Sequence, residues 1–201
     1  MPVYPAFLLL TLLIALPVSA QPDNDNQLDV TIALNGFDAG GNDSLSSNRA
    51  LVLHYSYDLI DWLATDVGLF VSDKSLDDTR QDVVGYYRAS LQTSALLLGI
   101  KPRYRFASPY EVYGRLGVQV WQTELEVEEY FNSNLPEGST SLTDTGTGYY
   151  VALGGVHNIT ESVLVQLEIR RQVQLDVFGG DSAYPFDLKI TSLIIGLGYR
   201  F

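Results

Sequence analysis

Leu193, Ile195, Leu197, Tyr199 and Phe201 occupy alternate positions over residues 193–201, and all are apolar or aromatic. Ile194, Gly196, Gly198 and Arg200 fill the positions between them. Successive side chains on a strand point to opposite faces, so this stretch has one greasy face and one face of mostly small or charged groups. The same period of two recurs upstream. Leu28, Val30, Ile32 and Leu34 share a face, as do Leu51, Leu53, Tyr55 and Tyr57, then Leu63, Thr65, Val67, Leu69 and Val71. A fourth run over 88–100 is clean only at its start, where Ser90, Gln92 and Ser94 oppose Ala89, Leu91, Thr93 and Ala95. A fifth sets Val112, Leu116, Val118 and Val120 against Glu111, Tyr113, Arg115, Gln119 and Trp121. A sixth sets Tyr149, Val151 and Leu153 against Gly148, Tyr150, Ala152 and Gly154. A seventh sets Val163, Val165, Leu167 and Ile169 against Gln166, Glu168, Arg170 and Gln172. The chain reads as about eight strands.

Connections alternate in length. Residues 57–61, 105–109 and 157–161 are short, whereas 38–47, 72–87, 126–146 and 176–187 are long and polar. Short turns at one end and long loops at the other describe an eight-stranded antiparallel up-and-down barrel, whose apolar face meets lipid and whose polar face lines the interior. Beyond the first twenty residues, no apolar run approaches the ~20 residues of a membrane-spanning helix. Aromatics gather at the ends of the runs. Tyr55, Tyr57, Tyr110, Tyr199 and Phe201 form one expected belt, and Phe37, Tyr86, Tyr87, Tyr149, Phe178 and Tyr184 the other.

Residues 6–16 form an apolar run ending in Pro17-Val18-Ser19-Ala20, a small-residue cleavage site of the secretory kind. A cleaved signal peptide over 1–20 and a barrel over 21–201 is the expected division, although the leader carries no Lys or Arg. The chain has no Cys, which excludes disulfides and thiolate metal sites. A net charge of −12 argues against nucleic acid as a partner.

The terminal alternation closing on Phe201 resembles the assembly signal of bacterial outer-membrane barrels. That resemblance assigns Leu197, Tyr199 and Phe201 to recognition by the barrel-assembly machinery. Tyr113-Gly114-Arg115-Leu116-Gly117 followed by Trp121 resembles a strand of the OmpA-type transmembrane domain, and Arg49-x-Leu51, Glu168 and Tyr199-Arg200-Phe201 fit the same layout. The resemblance implies a bacterial outer-membrane location and contact with outer-membrane lipid and lipopolysaccharide. It also implies delivery by periplasmic chaperones, a monomeric state and no cofactor. The soluble peptidoglycan-binding domain that many such proteins add is not among these residues, so no cell-wall tether is carried over.

Parity directs Asp29, His54, Asp66, Arg88, Glu111, Arg115, Glu168, Arg170 and Arg200 inward. The interior of an eight-stranded barrel is just wide enough for side chains, and charges buried there must pair. Asp66, Glu111, Arg115, Glu168 and Arg170 are the expected ion-pair network, with Arg115 bonded to Asp66, Glu168 or both. The network reads as a plug, and alternatively as the gate of a narrow porin-like channel. His54-Tyr55-Ser56 puts a His and a Ser on one face and resembles the base and nucleophile of small lipid A-modifying barrels. Here both point inward near a short turn, and no Asn follows, so catalysis is not expected. Acidic residues crowd two long loops: Asp73, Asp77, Asp78 and Asp82, then Glu124, Glu126, Glu128, Glu129, Glu137 and Asp144. Their spacing matches no EF-hand, and they read as solvated surface with no metal site. The expected role is structural or surface interaction, without enzyme activity.

Overall fold

A computed structural model describes residues 26–38, 44–81, 86–106, 109–130, 138–180 and 186–201 of the chain. The leader expected over 1–20 lies outside them, as do Asp82, Glu137 and Tyr184. The strands are β1 (Asn26–Asp38), β2 (Ser44–Ile60), β3 (Leu63–Ser72), β4 (Ser75–Gln81), β5 (Tyr86–Arg105), β6 (Tyr110–Tyr130), β7 (Gly138–Asn158), β8 (Val163–Val177) and β9 (Phe186–Arg200).

Apart from β3 and β4, strands consecutive in the chain pair antiparallel, and β1 pairs with β9, Leu28 lying opposite Tyr199. β3 pairs with β5 from Leu63–Pro102 to Val71–Ser94, which closes the sheet on itself. β4 resumes the same stave after Asp73 and Lys74, pairing with β5 from Ser75–Leu91 to Gln81–Tyr86. The ring therefore has eight staves. Closure leaves no sheet edge along the ring and satisfies the backbone polar groups between strands.

The outside of the ring is apolar. Leu28, Val30, Ile32 and Leu34 are 40–56 % exposed, while the alternating Asp29, Thr31, Ala33 and Asn35 are buried to within 1 %. Leu193, Ile195, Leu197 and Tyr199 are likewise 48–59 % exposed. A soluble barrel would place these sets the other way round. A continuous exposed apolar surface of this extent is a lipid-facing one. At the short-turn end, Tyr57, Trp62, Tyr104, Phe106, Tyr110 and Tyr199 are exposed, with Tyr104 edge-on to Phe106 at 5.0 Å. This is an interfacial aromatic belt.

The structure corrects three expectations. Within the expected loops 126–146 and 72–87, residues 126–130, 138–146 and 75–81 are strand. β6 and β7 run on as a paired hairpin through Glu129–Gly138, and β4 flanks β5. Their two-faced polarity hid them, because past the lipid both faces of a strand meet water. Phe37 and Phe178 do not join an outer belt; they are buried inside the ring. On β5 the faces are reversed. Arg88 is exposed, whereas Leu91, Thr93, Ala95 and Leu97 point into the interior. An apolar layer inside the barrel takes Leu91 and Leu97, so apolar residues here do not mark the lipid side.

A closed ring of this kind resists detergent at room temperature. Unboiled and boiled samples should migrate differently on a denaturing gel. Identical migration of a lipid-refolded sample would contradict closure.

Candidate functional site

The interior is built in layers, read here from the short-turn end. In the basal layer, Arg200 (β9) donates to Gln27 Oε1 at 3.2 Å, Glu111 Oε2 at 3.0 Å and Asn158 Oδ1 at 3.1 Å. Arg105 Nε adds a second contact to Glu111 at 3.3 Å. Arg103 binds the Asp58 carboxylate and donates from Nε to the Asp61 carbonyl at 3.1 Å. Glu111 thus belongs to this layer and not to the group around Arg115.

The central layer is organised on Arg115 of β6. Its guanidinium reaches Asp29 Oδ2 on β1 at 2.6 Å, Asp66 Oδ1 on β3 at 3.2 Å, and Glu168 on β8. Three acids from three staves converge on one fork of five donors. Arg170 binds Glu168 Oε1 at 2.5 Å and faces His54 Nε2 at 2.7 Å. His54 Nδ1 lies 2.7 Å from Asp66 Oδ2, and Ser56 Oγ donates to Asp66 Oδ1 at 2.8 Å. A guanidinium can only donate, so His54 Nε2 is the acceptor and Nδ1–H points to Asp66. His54 is therefore neutral in this arrangement. Lys101 Nζ lies 3.8 Å from Asp29 and 4.8 Å from the Tyr113 ring centre. The Tyr113 hydroxyl is 2.9 Å from Glu168. Asp29, Asp66 and Glu168 balance Arg115, Arg170 and Lys101, three charges against three. Arg115, Arg170, Lys101 and their three acids are all essentially inaccessible to solvent.

Further along the same strands the interior turns apolar. Asp29 gives way to Ala33 and Phe37, His54 to Val52 and Ala50, Asp66 to Phe70, and Arg115 to Trp121. With Leu97, Leu188, Ile190, Ile194 and Phe178 these side chains form one cluster. Small polar knots thread it. Thr93, Thr123 and Gln174 bond in a triangle of 2.7–2.9 Å contacts, and Asn35 bridges Asn48 and Ser192.

Large rings fit in so narrow a space because glycines stand opposite them. His54 lies across from Gly68, and Tyr113, Tyr150 and Trp121 lie across from Gly154, Gly117 and Gly146. A Cβ on any of these four glycines would come within 2.8 Å of the facing ring. Six buried polar atoms find no hydrogen-bond partner among the described residues: Lys101 Nζ, Arg170 Nη1, Glu111 Oε1, Tyr150 OH, Gln166 Nε2 and Gln172 Oε1. Buried polar groups of this kind are ordinarily satisfied by ordered water.

Asp66, Arg115, Glu168 and Arg170 thus meet in one network, while Glu111 stands a layer below. Asp29 and His54 join the central layer. Lys101 was not singled out in the sequence, since Leu96 to Ile100 is apolar throughout and blurs the parity leading to it. Leu197 and Tyr199 face outward, and Tyr199 stacks near Phe201 at 6.0 Å. Among the acidic residues, Glu126 pairs with Lys74 at 2.5 Å. No cluster of metal-ligating side chains occurs among the described residues.

The outer membrane protein beta-barrel domain family matches residues 6–201. The chain belongs to that family. This outer-membrane barrel is also similar in fold to solved structures. Neisserial surface protein A aligns with a TM-score of 0.62 and 14% identity, covering 88% of this chain and 97% of that one. The attachment invasion locus protein Ail of Yersinia pestis gives 0.57 and 14%, covering 88% and 97%. OprG from Pseudomonas aeruginosa gives 0.54 and 15%, covering 88% and 96%. No curated protein sequence matches the chain. In outer-membrane barrels the short turns lie in the periplasm and the long connections outside. The charged layers of this barrel then occupy the periplasmic half of the lumen, and the apolar layer the outer half.

Proposed function

We propose that the barrel is a sealed membrane scaffold with a structural or surface-interaction role, carrying its extended outer hairpins into the medium. The observation that supports this most directly is Arg115, bonded to acids of β1, β3 and β8, beneath an apolar layer filled by Phe70, Trp121 and Ile194. Paired charges beneath an apolar layer support the reading of a plug over that of a hydrated path for ions.

Wild-type protein in planar bilayers should accordingly show no discrete conductance steps at neutral pH. Reproducible unitary openings would favour the second reading, a narrow gated channel. That reading has its own support in Lys101, whose ammonium lacks a hydrogen-bond partner 3.8 Å from Asp29 and offers the acids an alternative cation.

Lipid A chemistry at His54 and Ser56 receives no support. Ser56 donates to Asp66, and His54 is held between Asp66 and Arg170, so the hydroxyl is not presented to the imidazole as base. The outward row of Leu197, Tyr199 and Phe201 suits recognition by the assembly machinery after escort by periplasmic chaperones. The lipid-facing belt suits a monomer surrounded by outer-membrane lipid and lipopolysaccharide.

A further inference from the structure

The outer end of the ring carries cations that the lumen does not use. Arg171 on β8 stands two positions beyond the exposed Ile169, and Arg49 on β2 two positions beyond the exposed Leu51. Lys189 on β9 stands four positions beyond Leu193. Strand register gathers all three around Gly36 of β1. Gly36 pairs with Thr191, which pairs with Arg171; Leu34 pairs with Arg49, and Asp38 with Lys189.

Gly36 itself is exposed, and a Cβ built there would meet only the Thr191 carbonyl oxygen, at 3.9 Å. The spot is a bare patch of backbone, with basic residues in register on the strands to either side of it. Arg171 is held on the neighbouring side, bonded through Nη1 to Thr191 Oγ1 and paired through Nη2 with Asp38 Oδ2 at 3.8 Å. Asp38 flanks the patch, and Asp187, one step farther out, accepts the Asp176 amide at 3.1 Å.

Height decides what the patch meets. Leu34, Leu193 and Ile169, 48–62 % exposed, lie immediately on its membrane side. A cation facing lipid is tolerated at headgroup level and not deeper. The patch therefore sits where the acyl-chain region ends and phosphates begin, in the outer leaflet. On β6 the outward charge at this end is acidic: Glu124, Glu126 and Glu128 line the strand, Lys74 pairs with Glu126 at 2.5 Å, and Arg88 stands opposite Glu128.

We infer that Arg49, Arg171 and Lys189 form a cradle around Gly36 for a phosphate of lipid A, whose acyl chains lie against Leu34, Leu193 and Ile169. The inference rests on the outer-membrane seating of the barrel and is independent of whether the lumen conducts. Lipid A is the source to which the cradle is assigned, because the long-connection end faces the outer leaflet.

The test uses refolded barrel in zwitterionic nanodiscs with EDTA present, titrated with diphosphoryl lipid A or with phosphatidylglycerol, and retention read by native mass spectrometry. Each surface cation near a charged headgroup is worth about fivefold in affinity. The triple variant R49Q/R171Q/K189Q should lose about 100-fold for lipid A, while Lys74→Gln changes little. Gly36→Asp, which keeps every cation but places a carboxylate on the bare spot, should weaken lipid A binding as well. Equal lipid A binding by wild type, the triple variant and Gly36→Asp would overturn the cradle. So would an equal loss in Lys74→Gln, or phosphatidylglycerol binding as tight as lipid A. The heat-dependent gel shift of every variant separates a failed cradle from a barrel that did not form.

Discussion

Arg115→Ala should lower the unfolding free energy of the barrel by about 3–5 kcal/mol, the usual cost of stranding a buried charge. The truncation leaves Asp29, Asp66 and Glu168 facing only Arg170 and Lys101, three negative charges against two positive ones in a layer closed to solvent. Urea unfolding in lipid vesicles, followed by tryptophan fluorescence in a Trp62→Phe background so that buried Trp121 alone reports, measures the loss. Adding Glu168→Gln restores two against two and should recover part of it. A surface pair provides the contrast. Lys74–Glu126 is short but exposed, and such pairs contribute about 0–1 kcal/mol. An Arg115→Ala barrel as stable as wild type would mean that the guanidinium is not the centre of the layer.

Gly117→Ala should be nearly as damaging, through crowding instead of charge. A Cβ at Gly117 would lie 2.2 Å from the Leu98 carbonyl oxygen, 2.7 Å from Gly99 Cα and 2.8 Å from the Tyr150 ring. Two of these neighbours are backbone of β5 and cannot rotate away. Overpacking of this kind costs about 1–3 kcal/mol, and more where strands must separate. Gly155→Ala is the control, since its only neighbour within 4 Å is the Glu111 carbonyl oxygen at 3.9 Å. Its effect should stay within about 0.5 kcal/mol. The two variants are compared by folded yield in vesicles and by urea midpoint. Equal behaviour of the two would remove the close β5–β6 approach as a constraint.

Much of the barrel was legible in the sequence because lipid imposes a strict rule on one face of each strand. Leu28 to Leu34 and Leu193 to Tyr199 alternate cleanly, and their orientation follows from parity alone. The rule weakens where its cause is absent. On the outer part of β6 and β7, both faces meet water, and Glu126, Glu128, Ser139 and Ser141 carry no alternation to read. Inside the outer half of the lumen, apolar residues pack against one another, so Leu91 and Ala95 looked to lie opposite the polar face of their run and Arg88 looked inward. Phe37 and Phe178 misled for the same reason. The charged centre was more accessible: Arg115, Asp66, Glu168 and Arg170 all lie on inward parity in well-marked runs. Lys101 follows five apolar residues, and Asp29 stands on the inward parity of its run. Their meeting with Arg115 depends on the closure between β3 and β5, a long-range contact that no local period encodes.

The facing of rings and glycines across β6 and β7 has a consequence for how the hairpin finds its alignment. Tyr113–Gly154, Gly117–Tyr150 and Trp121–Gly146 are rungs of one ladder, spaced four residues apart on each strand. Sliding β7 by two residues would set Tyr113 against Ala152 or Val156 and Trp121 against Asp144 or Gly148. At least two of the three rings would lose their recess at once, and the hairpin could not recover them by local adjustment. Slips of two are the ones an alternating strand otherwise tolerates best, since they keep every apolar residue on the lipid side. Lipid sorts the faces; the three recesses choose among the alignments that lipid cannot tell apart.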